Sequence, residues 1–186
     1  MNIRLNDPRV RYTPETYDRF TATVVRPFDE AMCPIVIEQA ARRMPGAVLL
    51  DIGTGTARFL IYVAEHGGLP GLRLVGTDLF DDMLAEARRA ADAAGVEIEL
   101  LRDDVHAMTL PDAFADVITS RSTIHHWQDP AQAFREIDRV LKPDGIAIIT
   151  DVRRDAPPEA VDAFNRLRAE AGLPPSVLDE KYTVPE

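Results

Sequence analysis

Branched apolar residues gather into four short runs along the chain: VLL at 48–50, LVG at 74–76, VITS at 117–120 and IAIIT at 146–150. Each run is nearly continuous rather than alternating, the pattern of strands covered on both faces. Strands are predicted over 47–51, 73–77, 96–101, 115–120 and 146–151. The stretches between them carry apolar residues at helical spacing and predict helices over 57–66, 81–94 and 130–141. Their ends are marked by Gly67-Gly68, by Asp81-Asp82 before and Gly95 after the second, and by Asp129-Pro130 opening the third. Lys142-Pro143-Asp144-Gly145 reads as a turn. Strands alternating with helices of this length imply right-handed βαβ units, so the fold class is α/β with a doubly wound parallel sheet.

The flanks are less regular. Residues 1–14 are polar, contain Pro8 and Pro14, and read as an extended arm. Residues 28–44 have helical spacing, with Pro34 predicting a kink or break. A helix over 157–171 is ended by Gly172-Leu173-Pro174-Pro175, and no strand is evident beyond it. The 186 residues suit a single domain. Within it, residues 1–45 form an arm and helices acting as a lid or cap, and 46–186 form the core.

Charge narrows the partners. The formal net charge is −10 without a basic cluster, which argues against nucleic acid and against an anionic membrane surface. A neutral or cationic small molecule fits better, and the oligomeric state stays open. The lone Cys33 excludes an internal disulfide and a multi-cysteine zinc site, and reads as a small buried apolar residue; no metal is expected. The N-terminus lacks the apolar core of a signal peptide and no 18-residue apolar run occurs, so a cytoplasmic protein is expected.

The candidate chemistry lies at the strand ends. In an open α/β sheet, ligands bind beyond the C-terminal ends of the strands, above all at the first strand–helix turn. Here that turn reads Asp51-Ile52-Gly53-Thr54-Gly55, where glycines let main chain approach a ligand. A dinucleotide site would need a further glycine where Arg58 stands, which counts against a nicotinamide-dependent oxidoreductase. Asp51 before the loop suits a cation better than a diphosphate. Asp78, ending the second strand, is placed to accept hydrogen bonds from ribose hydroxyls, and Leu79 to pack on adenine. Asp104, just past the third strand, is placed to accept an amine proton from adenine. These positions describe a cationic nucleoside without phosphate.

Four segments, VLLDIGTGTARF (48–59), LVGTDLFDDMLAEAR (74–88), LLRDDVHAMTLPDAFADVITSRSTIHHWQDP (100–130) and FREIDRVLKPDGIAIITD (134–151), together resemble the class I S-adenosylmethionine-dependent methyltransferases of the small-molecule branch. The resemblance implies a Rossmann-like core of strand order 3-2-1-4-5, S-adenosylmethionine as cofactor with S-adenosylhomocysteine as product, and methyl transfer to O, N or C of a small-molecule substrate. It places the methionine part of the cofactor at Asp51, Gly53, Thr54 and Gly55, the ribose at Asp78, and the adenine at Asp104 and Val105, with Leu79 also counted among the cofactor-binding residues. Ser120 and Arg121 would line its other side. The chain departs from the family at Ala57, where a third glycine is common, and at Asp144 in RVLKPDG. The family's antiparallel hairpin after strand five is expected to be absent or truncated, because only 35 residues follow Asp151.

A hydroxyl or ammonium nucleophile must lose a proton, which histidine can take at neutral pH. His125 and His126 in STIHHWQDP are the candidates for a general base or substrate hydrogen-bond partner; the alternative is that they pack the loop, anchored by Trp127. His106 is placed to flank the cofactor, and His66 to cap a helix or lie at the surface. Tyr12, Tyr17 and Phe20 form either one side of a lid helix or ordinary packing, and Arg153-Arg154 a solvated charge pair. Two readings compete with methyl transfer: a cofactor-binding but non-catalytic partner or sensor, and an enzyme using the same cofactor for a different reaction.

Overall fold

The computed structural model describes residues 13–176 and 178. Five strands form one sheet: β1 (Val48–Ile52), β2 (Arg73–Asp78), β3 (Glu99–Arg102), β4 (Ala115–Arg121) and β5 (Leu141–Thr150). Their order is β3-β2-β1-β4-β5, and every pairing is parallel. Leu50 stands opposite Val75 on one side and Ile118 on the other. Among the described residues, six α-helices accompany the sheet: α1 (Pro14–Phe20), α2 (Arg26–Ala41), α3 (Arg58–His66), α4 (Asp81–Ala94), α5 (Pro130–Val140) and α6 (Pro158–Glu170). The doubly wound α/β architecture is the one the strand–helix alternation requires.

Side chains alternate across each strand, so the continuous apolar runs divide between two cores. Val48, Leu50, Ile52, Val75 and Ile118 pack with Ile137 and Val140 of α5. Leu49, Leu74 and Val117 pack on the opposite face with Met32, Val36 and Ala40 of α2 and Phe59, Leu60 and Val63 of α3. Cys33 is buried in this second core, and burial pushes its thiol above the usual range.

Four local expectations need correction. Pro34 does not break its helix: α2 runs through it, because Glu30 and Pro34 face solvent, where water can satisfy a freed carbonyl. Pro14 does not end an extended arm but starts α1, with the Thr13 hydroxyl accepting the Thr16 N–H at 3.2 Å. The arm expected over residues 1–12, with Tyr12, lies outside the described residues. Strand β3 begins at Glu99 rather than at 96, since Val96 and Ile98 are drawn into the core under α3. The Lys142–Gly145 turn exists, but inside β5: Leu141 pairs with Ala115 and Ile146 with Val117, so those four residues bulge out, with Asp144 at φ +67°.

Hydrogen bonds tie the loops beneath the site. One oxygen of Asp116 accepts the Val48 N–H at 2.8 Å and Lys142 Nζ at 2.6 Å, closing the lower end of the sheet. Arg139 of α5 donates to the Leu110 and Met108 carbonyls at 2.9 Å each, and Glu136 accepts the Met108 N–H. The loop between β3 and β4 is thereby held against α5.

Leu50 is fully buried at the centre of the sheet, whereas Phe28 is 55% exposed. Leu50→Ala is expected to remove about 3 kcal/mol of stability through lost burial and a cavity, and Phe28→Ala less than about 1 kcal/mol. Urea denaturation of the two variants checks the contrast.

Candidate functional site

The site begins at the turn from β1 into α3. Gly53 (φ +68°) and Gly55 (φ +57°) both adopt left-handed backbone. A Cβ on Gly53 would lie 2.6 Å from Thr123 Cγ2, and one on Gly55 would lie 2.7 Å from the Tyr17 ring. Close approach and backbone angle both demand glycine. Ala57, at the family's third glycine, also sits at φ +57° just before α3, a conformation that costs a non-glycine residue about 1 kcal/mol. The Thr54 N–H donates to the Thr77 carbonyl at 2.8 Å, which fastens the turn to the tip of β2.

Asp78 completes that fastening. One carboxylate oxygen accepts the Gly55 N–H at 2.8 Å and the other the Phe80 N–H at 3.0 Å. Burial pushes the Asp78 carboxyl above its ordinary range, against these backbone donors and that of Leu79. Asp51, 1% exposed, accepts the Thr119 hydroxyl at 2.7 Å. Burial raises it too, opposed by the Arg121 charge and by the Thr119 and Thr54 hydroxyls.

Arg121, at the tip of β4, donates from Nη1 to Asp29 of α2 and lies over the Phe59 ring, 4.4 Å from its centroid. Its buried Nε has no hydrogen-bond partner among the described residues, and neither does the Thr56 hydroxyl oxygen. Burial pushes Asp29 up to about 6, opposed by Arg121 and assisted by Asp51. Asp29 and Asp51 thus both face the Arg121 guanidinium, and Asp78 in turn lies close enough to Asp51 for each carboxylate to disfavour the other's charge. Asp29 was not among the residues expected from sequence. Its signal was an acid in register with Cys33, Val36 and Ala40 on the apolar stripe of α2.

Helix α1 lies across the glycine turn. Asp18 receives both Nε and Nη2 of Arg58 at 2.6 Å each, so the residue in the third-glycine position of a dinucleotide motif serves to hold α1 down. Tyr17 rests against Gly55, and burial pushes its phenol up to about 12. Phe20 packs edge-on to Phe164 of α6, with ring centroids 6.5 Å apart.

On the β3 side, Asp104 is half exposed and its Oδ1 accepts from the His106 backbone at 2.9 Å and the His106 ring at 2.7 Å. Burial would raise this carboxyl, but the two hydrogen bonds from His106 hold it below the ordinary range. Neighbouring Asp103 instead accepts the Thr109 N–H at 3.0 Å and serves the loop. Val105 packs partly buried against the α5-side core.

At the tip of β4, the buried Ser120 hydroxyl donates to the Ile52 carbonyl at 2.7 Å, so its present role is to link β4 to the glycine turn. The two candidate histidines have different settings. His125 is 4% exposed, and its Nδ1 lies 2.5 Å from a carboxylate oxygen of Asp151, just beyond β5. The His126 ring lies 3.9 Å from that of His125 at 49°. Trp127 is buried in the α5-side core, edge-on to Phe134 at 5.7 Å. His66 ends α3, stacked on Tyr62, away from these groups. Arg153 pairs with Asp155 at 2.9 Å. Sequence placed Asp151 at a strand tip but not beside His125, because 26 residues separate them.

A glycine turn and strand-tip carboxylates on a five-stranded 3-2-1-4-5 sheet define a doubly wound, Rossmann-like α/β protein. The methyltransferase-domain family model matches residues 50–149, and the chain belongs to that family, the class I S-adenosylmethionine-dependent methyltransferases. A demethylmenaquinone methyltransferase of Thermus thermophilus is 33% identical over 130 residues, covering 70% of this chain and 54% of its own length. A putative S-adenosyl-L-methionine-dependent methyltransferase of Methanococcus maripaludis shares the fold at a TM-score of 0.67 and 24% identity, covering 86% of this chain and 67% of its own. The [4+2]-cyclase SpnF matches at a TM-score of 0.60 and 26% identity, over 68% of this chain and 46% of its own. The chain spans about half the length, or less, of the curated relatives it matches. No helix among the described residues is long and apolar enough to cross a membrane.

Asp29 gives a pH signature. Its folded-state value is raised from an ordinary 3.8 to about 6, so the folded chain binds more protons than the unfolded one between those values. Its contribution to stability is present below about pH 4 and lost as pH rises through about 6. Asp29→Asn, which cannot ionise, is therefore expected to gain stability relative to the wild type between pH 4.5 and 7. Urea midpoints at the two pH values measure this; a constant gap would contradict it.

Proposed function

We propose that this chain binds S-adenosylmethionine in the crevice between the glycine turn and the tips of β2, β3 and β4, and transfers its methyl group to a neutral or cationic small molecule. The observation that carries the reading is the row of buried acids beside the Gly53–Gly55 turn: Asp78 bonded to the Gly55 N–H, Asp51 next to it, and Asp29 paired with Arg121. Burial disfavours the ionised carboxyls, and a cation placed among them restores their charge. The same residues suit a zwitterionic amino-acid group, with Asp51 toward an ammonium and the unpartnered Nε of Arg121 toward a carboxylate. Asp78 would hold the ribose, and Asp104 with Val105 the adenine, on whose face Leu79 would pack.

The bound cofactor supplies an electrophilic methyl on sulfonium, so the chain's own work is alignment and proton removal. His125, with Nδ1 directed at Asp151, is the proposed proton acceptor, because a carboxylate on one ring nitrogen fixes the tautomer that leaves the other basic. Among the described residues the cation of the crevice is Arg121, and it is engaged with Asp29. This favours an uncharged acceptor of the kind named for the Thermus thermophilus relative over a phosphate-bearing one.

The second reading, a different reaction on the same cofactor, draws on the likeness to a protein named a [4+2]-cyclase. Titration calorimetry with S-adenosylhomocysteine is expected to show binding that Asp78→Ala weakens at least about tenfold; equal affinity of the two proteins would overturn the site. Transfer of labelled methyl to a demethylated quinol is then expected to fall by about 10²-fold or more in His125→Ala. Binding without any label transfer would favour the second reading.

A further inference from the structure

His106 sits two residues past the acid that faces the proposed adenine position, in the turn where the Ala107 N–H donates to the Asp104 carbonyl at 2.9 Å. It makes four hydrogen bonds. Its backbone N–H and ring Nδ1 both lie against the same Asp104 oxygen, Oδ1, at 2.9 and 2.7 Å. Its Nε2 accepts the Asp129 N–H at 3.3 Å, and its carbonyl accepts Gln132 Nε2 at 3.1 Å. Asp129 and Gln132 belong to the first turn of α5, which Asp129 caps through the Gln132 N–H at 2.9 Å. His106 therefore spans from the end of β3 to the start of α5.

These partners define the ring's tautomer. A nitrogen that accepts a backbone N–H carries no proton, so the proton is on Nδ1 and is donated to Asp104. Two donors on Oδ1 fix the rotation of the carboxylate and keep it ionised, in line with its lowered proton affinity. Oδ2 accepts no hydrogen bond among the described residues, and the Asp104 side chain is 49% exposed. The carboxylate thus offers one open acceptor of defined direction and no donor.

We propose that His106 is a positioning residue that turns Asp104 into a one-oxygen acceptor, and so makes the site select a 6-amino purine over a 6-oxo purine. This rests on the placement of adenine at Asp104. An amine at purine C6 donates to Oδ2; a carbonyl there sets lone pair against lone pair and leaves a charged acceptor unpaired. Without His106, Asp104 can rotate and water can occupy its oxygens, so the distinction weakens even where overall binding survives.

The test compares the affinities of S-adenosylhomocysteine and its 6-oxo counterpart, S-inosylhomocysteine, by calorimetry. Their ratio cancels any general loosening of the protein, which a purely structural role of His106 would cause. The wild type is expected to prefer the amino form by at least about tenfold. His106→Ala should bring the ratio to within about threefold of unity. Asn carries an amide nitrogen where the histidine has Nδ1, whereas Gln places its amide nearer Nε2. His106→Asn should therefore restore most of the preference and His106→Gln little of it. A preference retained in His106→Ala, or Gln restoring as much as Asn, would overturn the role of His106 alone. A wild type that binds S-adenosylhomocysteine without preference would overturn the placement of adenine at Asp104 along with it.

Discussion

Strands β1 and β4 lie in the middle of the sheet, with a hydrogen-bonded neighbour on each edge and an apolar core on each face. Nothing in such a strand reaches water except its two ends. Any polar group placed there must sit at a tip, and parallel pairing sends the C-terminal tips of all strands to the same side. Asp51, Asp78, Ser120 and Arg121 are consequences of that constraint. Their proximity follows from the register that pairs Asp51 with Gly76 and Thr119 and Ile52 with Thr77 and Ser120.

The same geometry explains why the crevice is electrostatically loaded. Tips emerging from a doubly covered sheet are only partly solvated, so the carboxyls of Asp51 and Asp78 are pushed toward neutrality. The protein compensates with fixed donors rather than with a second cation: Gly55 and Phe80 N–H on Asp78, and the Thr119 hydroxyl on Asp51. The Arg121 guanidinium, which faces Asp51, is shared with Asp29. Such an interior favours a ligand that brings positive charge and hydrogen-bond donors together, which a sulfonium nucleoside does.

Around this centre the loops are held by contacts that differ in kind. The glycine turn is held by main chain, through Thr54 to Thr77. The loop after β3 is held by side chains of α5, chiefly Arg139 and Glu136. Helix α1 is held by the partly exposed Asp18–Arg58 pair and by Tyr17 on Gly55. Phe20 adds an apolar contact with Val24, Leu173 and Phe164, and α1 so held covers the turn at which a ligand would meet main chain.

Much of the fold was legible because its signals are local. Continuous apolar runs, a helix cap such as Asp129-Pro130 and the spacing of Gly53 and Gly55 depend on neighbours a few residues away. The acids at 51, 78 and 104 could be placed at strand ends for the same reason. The length of β3, the passage of α2 through Pro34 and the bulge at 142–145 were not legible, since each depends on what packs against the segment. Within the site, only the tertiary structure joins Asp29 to Arg121 across 92 residues and Asp151 to His125 across 26. It also decides that Arg58 serves α1 and that His106 holds Asp104. Residue type and order determine which groups reach the rim of the sheet. Burial and partnership, which set proton affinity and orientation, arise only when distant segments exclude water from one another.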